Sequence, residues 1–163
     1  MDRLDPLDRV RLVEGFDACV DYRAPSLFKQ LRAACPDGVD VYFDNVGGTV
    51  LETALATMNE RGRIVCCGAI SQYDTSAPTG PRNLPGLVVT KRLRMEGFIV
   101  MDFAHNDAKA TRALQQWVAS GQIKVFEDVV DGLENAPAAL IGLLAGDNKG
   151  KRMVRVSPDP VRN

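Results

Sequence analysis

The sequence predicts an α/β fold built on a parallel sheet, and three observations carry that prediction. Residues 39–48, Val-Asp-Val-Tyr-Phe-Asp-Asn-Val-Gly-Gly, form an apolar run that stops in polar and small residues. Residues 63–71, Arg-Ile-Val-Cys-Cys-Gly-Ala-Ile-Ser, repeat that design after one helical pattern. Strand and helix patterns alternate through residues 16–100. A buried parallel strand has both faces covered, so it reads as continuous apolar sequence, and its carboxyl end opens onto a ligand crevice.

The elements follow in order. Residues 16–22 predict a short strand. Residues 26–34 place Leu27, Phe28 and Leu31 on one face and predict a helix with Ser26 as its N-cap. Pro36-Asp37-Gly38 is a turn. Residues 39–44 predict a strand, and Gly47-Gly48 the sharp turn out of it. Residues 49–59 predict a helix through Val50, Leu51, Leu55 and Met58, closed by Gly62. The next strand covers residues 63–68. Residues 71–86 are rich in Pro, Gly, Ser and Thr, a long connection that is either mobile or functional. Residues 87–90 fit a short helix or strand, and residues 94–100 another strand. Residues 107–120 predict a helix with Ala110, Leu114, Trp117 and Val118 on one side, closed by Gly121. A strand over residues 125–130 precedes a helix over 135–144, with Asn135 as cap and Pro137 in its first turn. A turn over residues 146–150 leads to a last strand over 151–156.

Composition narrows the function classes. The 163 residues suffice for one ordinary domain, and 45% hydrophobic with 25% charged residues is the balance of a soluble globular chain. Net charge is −1. The densest basic cluster, Lys91, Arg92 and Arg94, is too short to track a phosphate backbone, so no nucleic-acid partner is expected. No apolar stretch approaches the ~20 residues of a membrane helix, so no membrane partner is expected. The first eleven residues alternate charge with Leu and Pro, unlike a signal peptide. The cysteines are Cys19, Cys35, Cys66 and Cys67, without a Cys-x-x-Cys pair, and His105 is the only histidine. Zinc needs convergent soft ligands at short spacing, so no metal is expected. Cys66 and Cys67 point to opposite faces of a strand and read as buried, reduced thiols acting as small hydrophobes, which suits a reducing cytoplasm.

Four motifs in order carry a family resemblance: Phe-Asp-Asn-Val-Gly-Gly at residues 43–48, Cys-Gly-Ala-Ile-Ser at 67–71, Leu-Arg-Met-Glu-Gly-Phe-Ile-Val at 93–100, and Gly-Asp-Asn-x-Gly-Lys at 146–151. Over roughly residues 9–156 the chain resembles the zinc-independent medium-chain dehydrogenases/reductases, in the branch of prostaglandin, alkenal and curcumin reductases. The resemblance implies a Rossmann-like sheet and an NADPH-dependent reduction of a carbon–carbon double bond conjugated to a carbonyl, with a small-molecule enone as substrate. The cofactor supplies the chemistry, and the protein orients it and stabilises charge developing on oxygen.

The resemblance also implies cofactor contacts. Tyr22 resembles the tyrosine beside the adenosine 2′-phosphate. Asn45 resembles the asparagine that lies against the cofactor. Cys67, Gly68, Ala69, Ile70, Ser71 and Tyr73 resemble the loop that lines it, with Gly68 allowing close backbone approach. Phe98, Ile99 and Val100 resemble the strand whose backbone faces the nicotinamide carboxamide, and Asn148 the asparagine near the nicotinamide end. One departure stands out. Many relatives place a tyrosine where this chain has Thr90, whose shorter side chain does not inherit a role at the substrate oxygen. No catalytic residue is assigned.

The family pattern further implies a barrel-like, GroES-like catalytic domain and a glycine-rich phosphate loop ahead of these motifs. Neither is in this sequence, and residues 1–14, with Val10, Leu12 and Val13, read as the tail of the second sheet helix. The expectation is therefore a partial doubly wound sheet lacking its first strands: residues 1–121 as a partial NADP-binding domain and 122–163 as the C-terminal part of the catalytic domain. The strand at residues 18–22 is then parted from the strand at 39–44 by two absent neighbours. Such a chain is expected to bind NADPH weakly and to reduce no enone. The alternative is a non-catalytic truncated module that binds nucleotide or dimerises. A homodimer through the edge strand 94–100 is the expected assembly, because an open edge invites pairing.

Overall fold

The computed structural model describes residues 15–73, 76–77 and 80–158. The helix tail read into residues 1–14 lies outside the described residues. The chain divides into two compact units between His105 and Asn106.

The first unit holds helix α1 (Leu27–Ala34), strand β1 (Val39–Asp44), helix α2 (Gly48–Thr57), strand β2 (Met58–Cys66), helix α3 (Leu84–Lys91) and strand β3 (Arg94–Gly97). The three strands form a parallel sheet in the order β1-β2-β3. Their register brings the carboxyl ends into one row, with Asp44 opposite Cys66 and Cys66 opposite Gly97. This is an α/β structure with parallel strands, the architecture read from the strand–helix alternation.

Leu51, Leu55, Met58, Ile64 and Leu93 form the buried core, with Val39, Tyr42, Leu87, Val88 and Met95 packed around it. Leu55 is fully covered, which stabilises the fold by about 1.5–3 kcal/mol. The last carbonyls of helix α2 find a partner outside the helix. Lys91 Nζ donates to the carbonyls of Leu55 at 3.0 Å, Ala56 at 2.9 Å and Met58 at 2.8 Å. A cation there offsets the partial negative charge of a helix C-terminus. Burial, and the nearby Arg32, lower the Lys91 pKa.

Several local expectations change. Residues 16–22 form no strand. A strand is stabilised only by a neighbour that takes its backbone hydrogen bonds, and no described strand lies beside this segment. Ser26 stands at the N-cap position of α1 but has a left-handed backbone, φ 69°, and its side chain makes no capping bond. Helix α2 ends at Thr57 and the chain turns extended at Met58, so Gly62 lies within β2 and is no helix cap. Between Met58 and Arg63, β2 bulges against β1, with Arg61 at φ 61°. The segment at 87–90 is helical, beginning at Leu84 with a proline in its first turn. Strand β3 stops at Gly97, and Val100 already opens a 3-10 helix (Val100–Asn106) rather than ending a strand.

The second unit holds helix α4 (Asp107–Ala119), strand β4 (Glu127–Asp131), a 3-10 turn (Leu133–Asn135), helix α5 (Ala136–Ala145) and strand β5 (Lys151–Arg155). Strands β4 and β5 pair in parallel, with Asp128 opposite Arg152 and Asp131 opposite Arg155. Both facing pairs are ion pairs, at 2.8 Å and 2.9 Å. Pro137 lies in the first turn of α5 as read from sequence, but Asn135 does not cap that helix. Its amide instead donates to the Asp131 carbonyl at 2.7 Å. Leu114, Trp117 and Val118 on α4 are about half exposed.

Candidate functional site

The turn after β1 is built around Asp44, which is buried. Its carboxylate Oδ1 accepts the backbone N–H groups of Val46 and Gly47, each at 3.0 Å, and the Tyr42 hydroxyl at 3.0 Å. An aspartate bonding the backbone two and three residues on closes a tight turn. Gly47 then takes φ 70° and ψ −154°, a region that side chains disfavour. Burial, then the bond to Asp44, raise the Tyr42 pKa well above the ordinary phenol value.

The same turn holds the chain leaving β2. The Asp44 carbonyl accepts the N–H of Cys67 at 2.8 Å and of Gly68 at 3.2 Å. The Asn45 carbonyl accepts the N–H of Ile70 at 3.1 Å, and the Val46 carbonyl that of Ser71 at 3.1 Å. Ser71 Oγ also donates to the Val46 carbonyl, and the Tyr73 hydroxyl meets the Ala69 N–H at 3.4 Å. At Gly68 a Cβ would lie 3.3 Å from the Asn45 carbonyl oxygen and 3.4 Å from the Tyr73 hydroxyl. Glycine is what allows the two segments this close.

On the other flank the Phe98 N–H donates to the Cys66 carbonyl at 3.2 Å, continuing the sheet bonding one residue past β3. The Phe98 ring packs between Phe43, at 6.1 Å, and Phe103, edge-on at 5.9 Å. Between the two flanks runs an open groove of about 590 Å³. It is lined by Cys66, Cys67, Gly68 and Ala69 at the end of β2 and by Gly97, Phe98, Ile99 and Asp102 at and after the end of β3. It opens at the carboxyl ends of parallel strands, where α/β sheets bind their ligands, and its size is that of a small-molecule site. The Cys66 thiol pKa is raised by burial and by the nearby Asp44 carboxylate.

Of the twelve residues assigned from sequence, the groove gathers Cys67, Gly68, Ala69, Phe98 and Ile99. Asn45, Ile70, Ser71 and Tyr73 form its supporting turn through the bonds above. Val100 is exposed and is not among the lining residues. Tyr22 is exposed, does not line the groove, and pairs with Arg23, whose Nε donates to the Tyr22 hydroxyl at 3.2 Å. Asn148 belongs to the second unit, where its amide donates to the Gly150 carbonyl at 2.8 Å. Sequence reasoning passed over three residues. Asp44 had a signal, an acid closing an apolar strand just before Val-Gly-Gly. Cys66 was read as a strand thiol only. Asp102 had no signal, since its place depends on the 3-10 turn after β3.

The lining is apolar, with one carboxylate and no lysine or arginine. Such a groove suits an uncharged or cationic flat ring and disfavours phosphate. That fits the nicotinamide end of a dinucleotide.

Comparisons with known proteins agree with this architecture. The chain is 45% identical over 152 residues to an Escherichia coli protein named NADPH-dependent curcumin reductase, covering 90% of this chain and 44% of that protein. It is 42% identical over 154 residues to the 2-alkenal reductase (NADP(+)-dependent) of Nicotiana tabacum, covering 94% and 45%. The structure of CurA from Vibrio vulnificus in complex with NADPH superposes with a TM-score of 0.84 at 40% identity, covering 94% of this chain and 47% of that one. The chain spans about half the length of the relatives it matches. The matching family is described as zinc-binding dehydrogenase, although the described residues bring together no group of three His, Cys, Asp or Glu able to hold a metal ion. Because the family pattern runs through residues 14–154, nearly the whole chain, this protein belongs to the zinc-binding dehydrogenase family.

Proposed function

We propose that this chain provides the nicotinamide side of an NADPH-dependent oxidoreductase that reduces the carbon–carbon double bond of α,β-unsaturated carbonyl compounds. The observation that carries the reading is the groove at the carboxyl ends of β1, β2 and β3, floored by apolar residues and free of cations. Relatives named for curcumin and alkenal reduction support the substrate class. When bound, NADPH supplies the hydride. The chain's own part is to hold the ring. Phe98 and Ile99 offer an apolar face, and the Cys67–Ala69 wall offers close backbone approach through Gly68. Tyr22 and Arg23 supply a phenol and a cation of the kind a 2′-phosphate takes. Asn148 is assigned to the nicotinamide end by the family resemblance alone.

The finer assignments complete this reading. Residues 1–121 serve as the nucleotide-binding part and 122–163 as part of the catalytic domain. The partner is a small enone, and the compartment a reducing cytoplasm, which suits four free cysteines. A homodimer forms through β3, which lies at an edge of the described sheet.

The test is a fluorescence titration of NADPH against the purified 163-residue chain, followed by an assay for NADPH consumption with a simple enone. Weak binding without turnover is the expected result. Submicromolar binding with turnover would show that the chain is a sufficient enzyme. No binding at millimolar NADPH would remove the cofactor reading.

A further inference from the structure

The groove has a single charged wall residue. Asp102 lines it together with Cys67, Gly68, Phe98 and Ile99. Its position is fixed from both sides. Its own N–H donates to the Ile99 carbonyl at 3.1 Å, and the next residue, Phe103, packs edge-on against Phe98. The Asp102 backbone is thus tied into the 3-10 turn that borders the groove. No lysine or arginine among the lining residues offsets it.

Charge is what separates the two redox forms of a nicotinamide. The reduced ring is neutral. Giving up a hydride, one proton together with two electrons, would leave the ring a cation. The electrons end on the enone, whose β-carbon gains the C–H bond and whose oxygen becomes an enolate that takes a proton from water. A fixed negative charge beside the ring favours the cationic form and the transition state leading to it.

We propose that Asp102 is an electrostatic positioning residue that biases this groove toward the oxidised nicotinamide, and so assists hydride delivery to the enone. The proposal rests on the cofactor reading above. Asp102 is exposed, so water and salt screen it and the bias is a matter of several-fold, not orders of magnitude.

NADP+ and NADPH carry the same phosphates and adenosine, so the ratio of their dissociation constants isolates the nicotinamide. Both are titrated into the 163-residue chain and into Asp102→Asn and Asp102→Glu, following backbone amide shifts at the groove. Relative to the parent, Asp102→Asn is expected to shift the ratio about fivefold toward NADPH, and Asp102→Glu to restore most of it. Salt near 1 M, where the screening length is about 3 Å, is expected to erase the difference between parent and Asp102→Asn. An unchanged ratio in Asp102→Asn overturns the proposal and leaves the cofactor reading standing. An equal gain in affinity for both forms also overturns it, since that marks general repulsion of an anionic ligand. Absence of groove shifts with either form removes the cofactor reading and this proposal with it.

Discussion

The Asn45 carbonyl accepts the Ile70 N–H at 3.1 Å, joining the ends of two parallel strands across the mouth of the sheet. Around it, the Asp44 carbonyl accepts Cys67 and Gly68, and the Val46 carbonyl accepts Ser71. The Cys67–Ile70 side of the groove is thus hydrogen-bonded to the turn after β1. Its weakest substitution points are the glycines that let the two segments approach.

Gly47 tests the geometry of that turn. At φ 70° and ψ −154° it occupies backbone space that an alanine enters at a cost of about 1–3 kcal/mol. Gly47→Ala is expected to lower the unfolding free energy by that amount, read as a lower urea midpoint, and to weaken NADPH binding. Gly97→Ala is the contrast. A Cβ there meets only the Cys66 carbonyl oxygen, at 3.9 Å, so stability is expected to change little. Denaturation curves followed by circular dichroism decide between them.

Lys91 tests the core. Its three bonds to the end of α2 bring together a helix terminus, the start of β2 and the last residue of α3. Lys91→Met keeps the aliphatic stem but leaves those carbonyls without their cation. A loss of about 1–3 kcal/mol is expected, measured by chemical denaturation. Hydrogen exchange is expected to rise first at the amides of α2 and β2.

Asp128 tests the second unit by pH. Its carboxyl pKa is held below the ordinary value by the Lys149 N–H, then by Arg152. A depressed folded-state pKa stabilises above the unfolded value and is lost as pH falls through the folded one. The second unit is therefore expected to weaken below about pH 4. Trp117, the only tryptophan, lies in α4 of this unit and reports the change by fluorescence. Asp128→Asn is expected to be less stable at neutral pH and to lack that acid-dependent phase.

The adjacent thiols test the groove. Cys67 is exposed, whereas Cys66 is partly covered and its thiol pKa is raised. Iodoacetamide is expected to label Cys67 well before Cys66, because the thiolate is the reactive form. NADPH at saturating concentration is expected to slow labelling of Cys67 while leaving Cys19 and Cys35 unchanged. Peptide mass spectrometry reads all four.

The legible parts of the sequence were those whose physics is local. Residues 39–44 followed by Gly47-Gly48 announced a buried strand and a sharp turn, because apolar continuity and positive φ leave marks in composition. The helix at 107–120 and the paired ends at 125–130 and 151–156 were legible for the same reason. Residues 16–22 look like a strand in isolation, but among the described residues no strand lies beside them to take their hydrogen bonds. Gly62 resembles a helix cap in sequence, but the chain turns extended already at Met58 and Gly62 falls within β2. Asp102 reaches the groove only because the chain tightens into a 3-10 turn after β3. Of the site residues read from motif order, Cys67–Ala69 and Phe98–Ile99 line the groove, whereas Val100 and Tyr22 of the same unit do not.

The most direct measurement is a crystal structure of this chain grown with saturating NADPH. The account predicts the nicotinamide ring between the Cys67–Ala69 wall and Phe98–Ile99, with Asp102 beside its edge. Cofactor seated elsewhere on the first unit, or a groove filled only by water at full saturation, would contradict it.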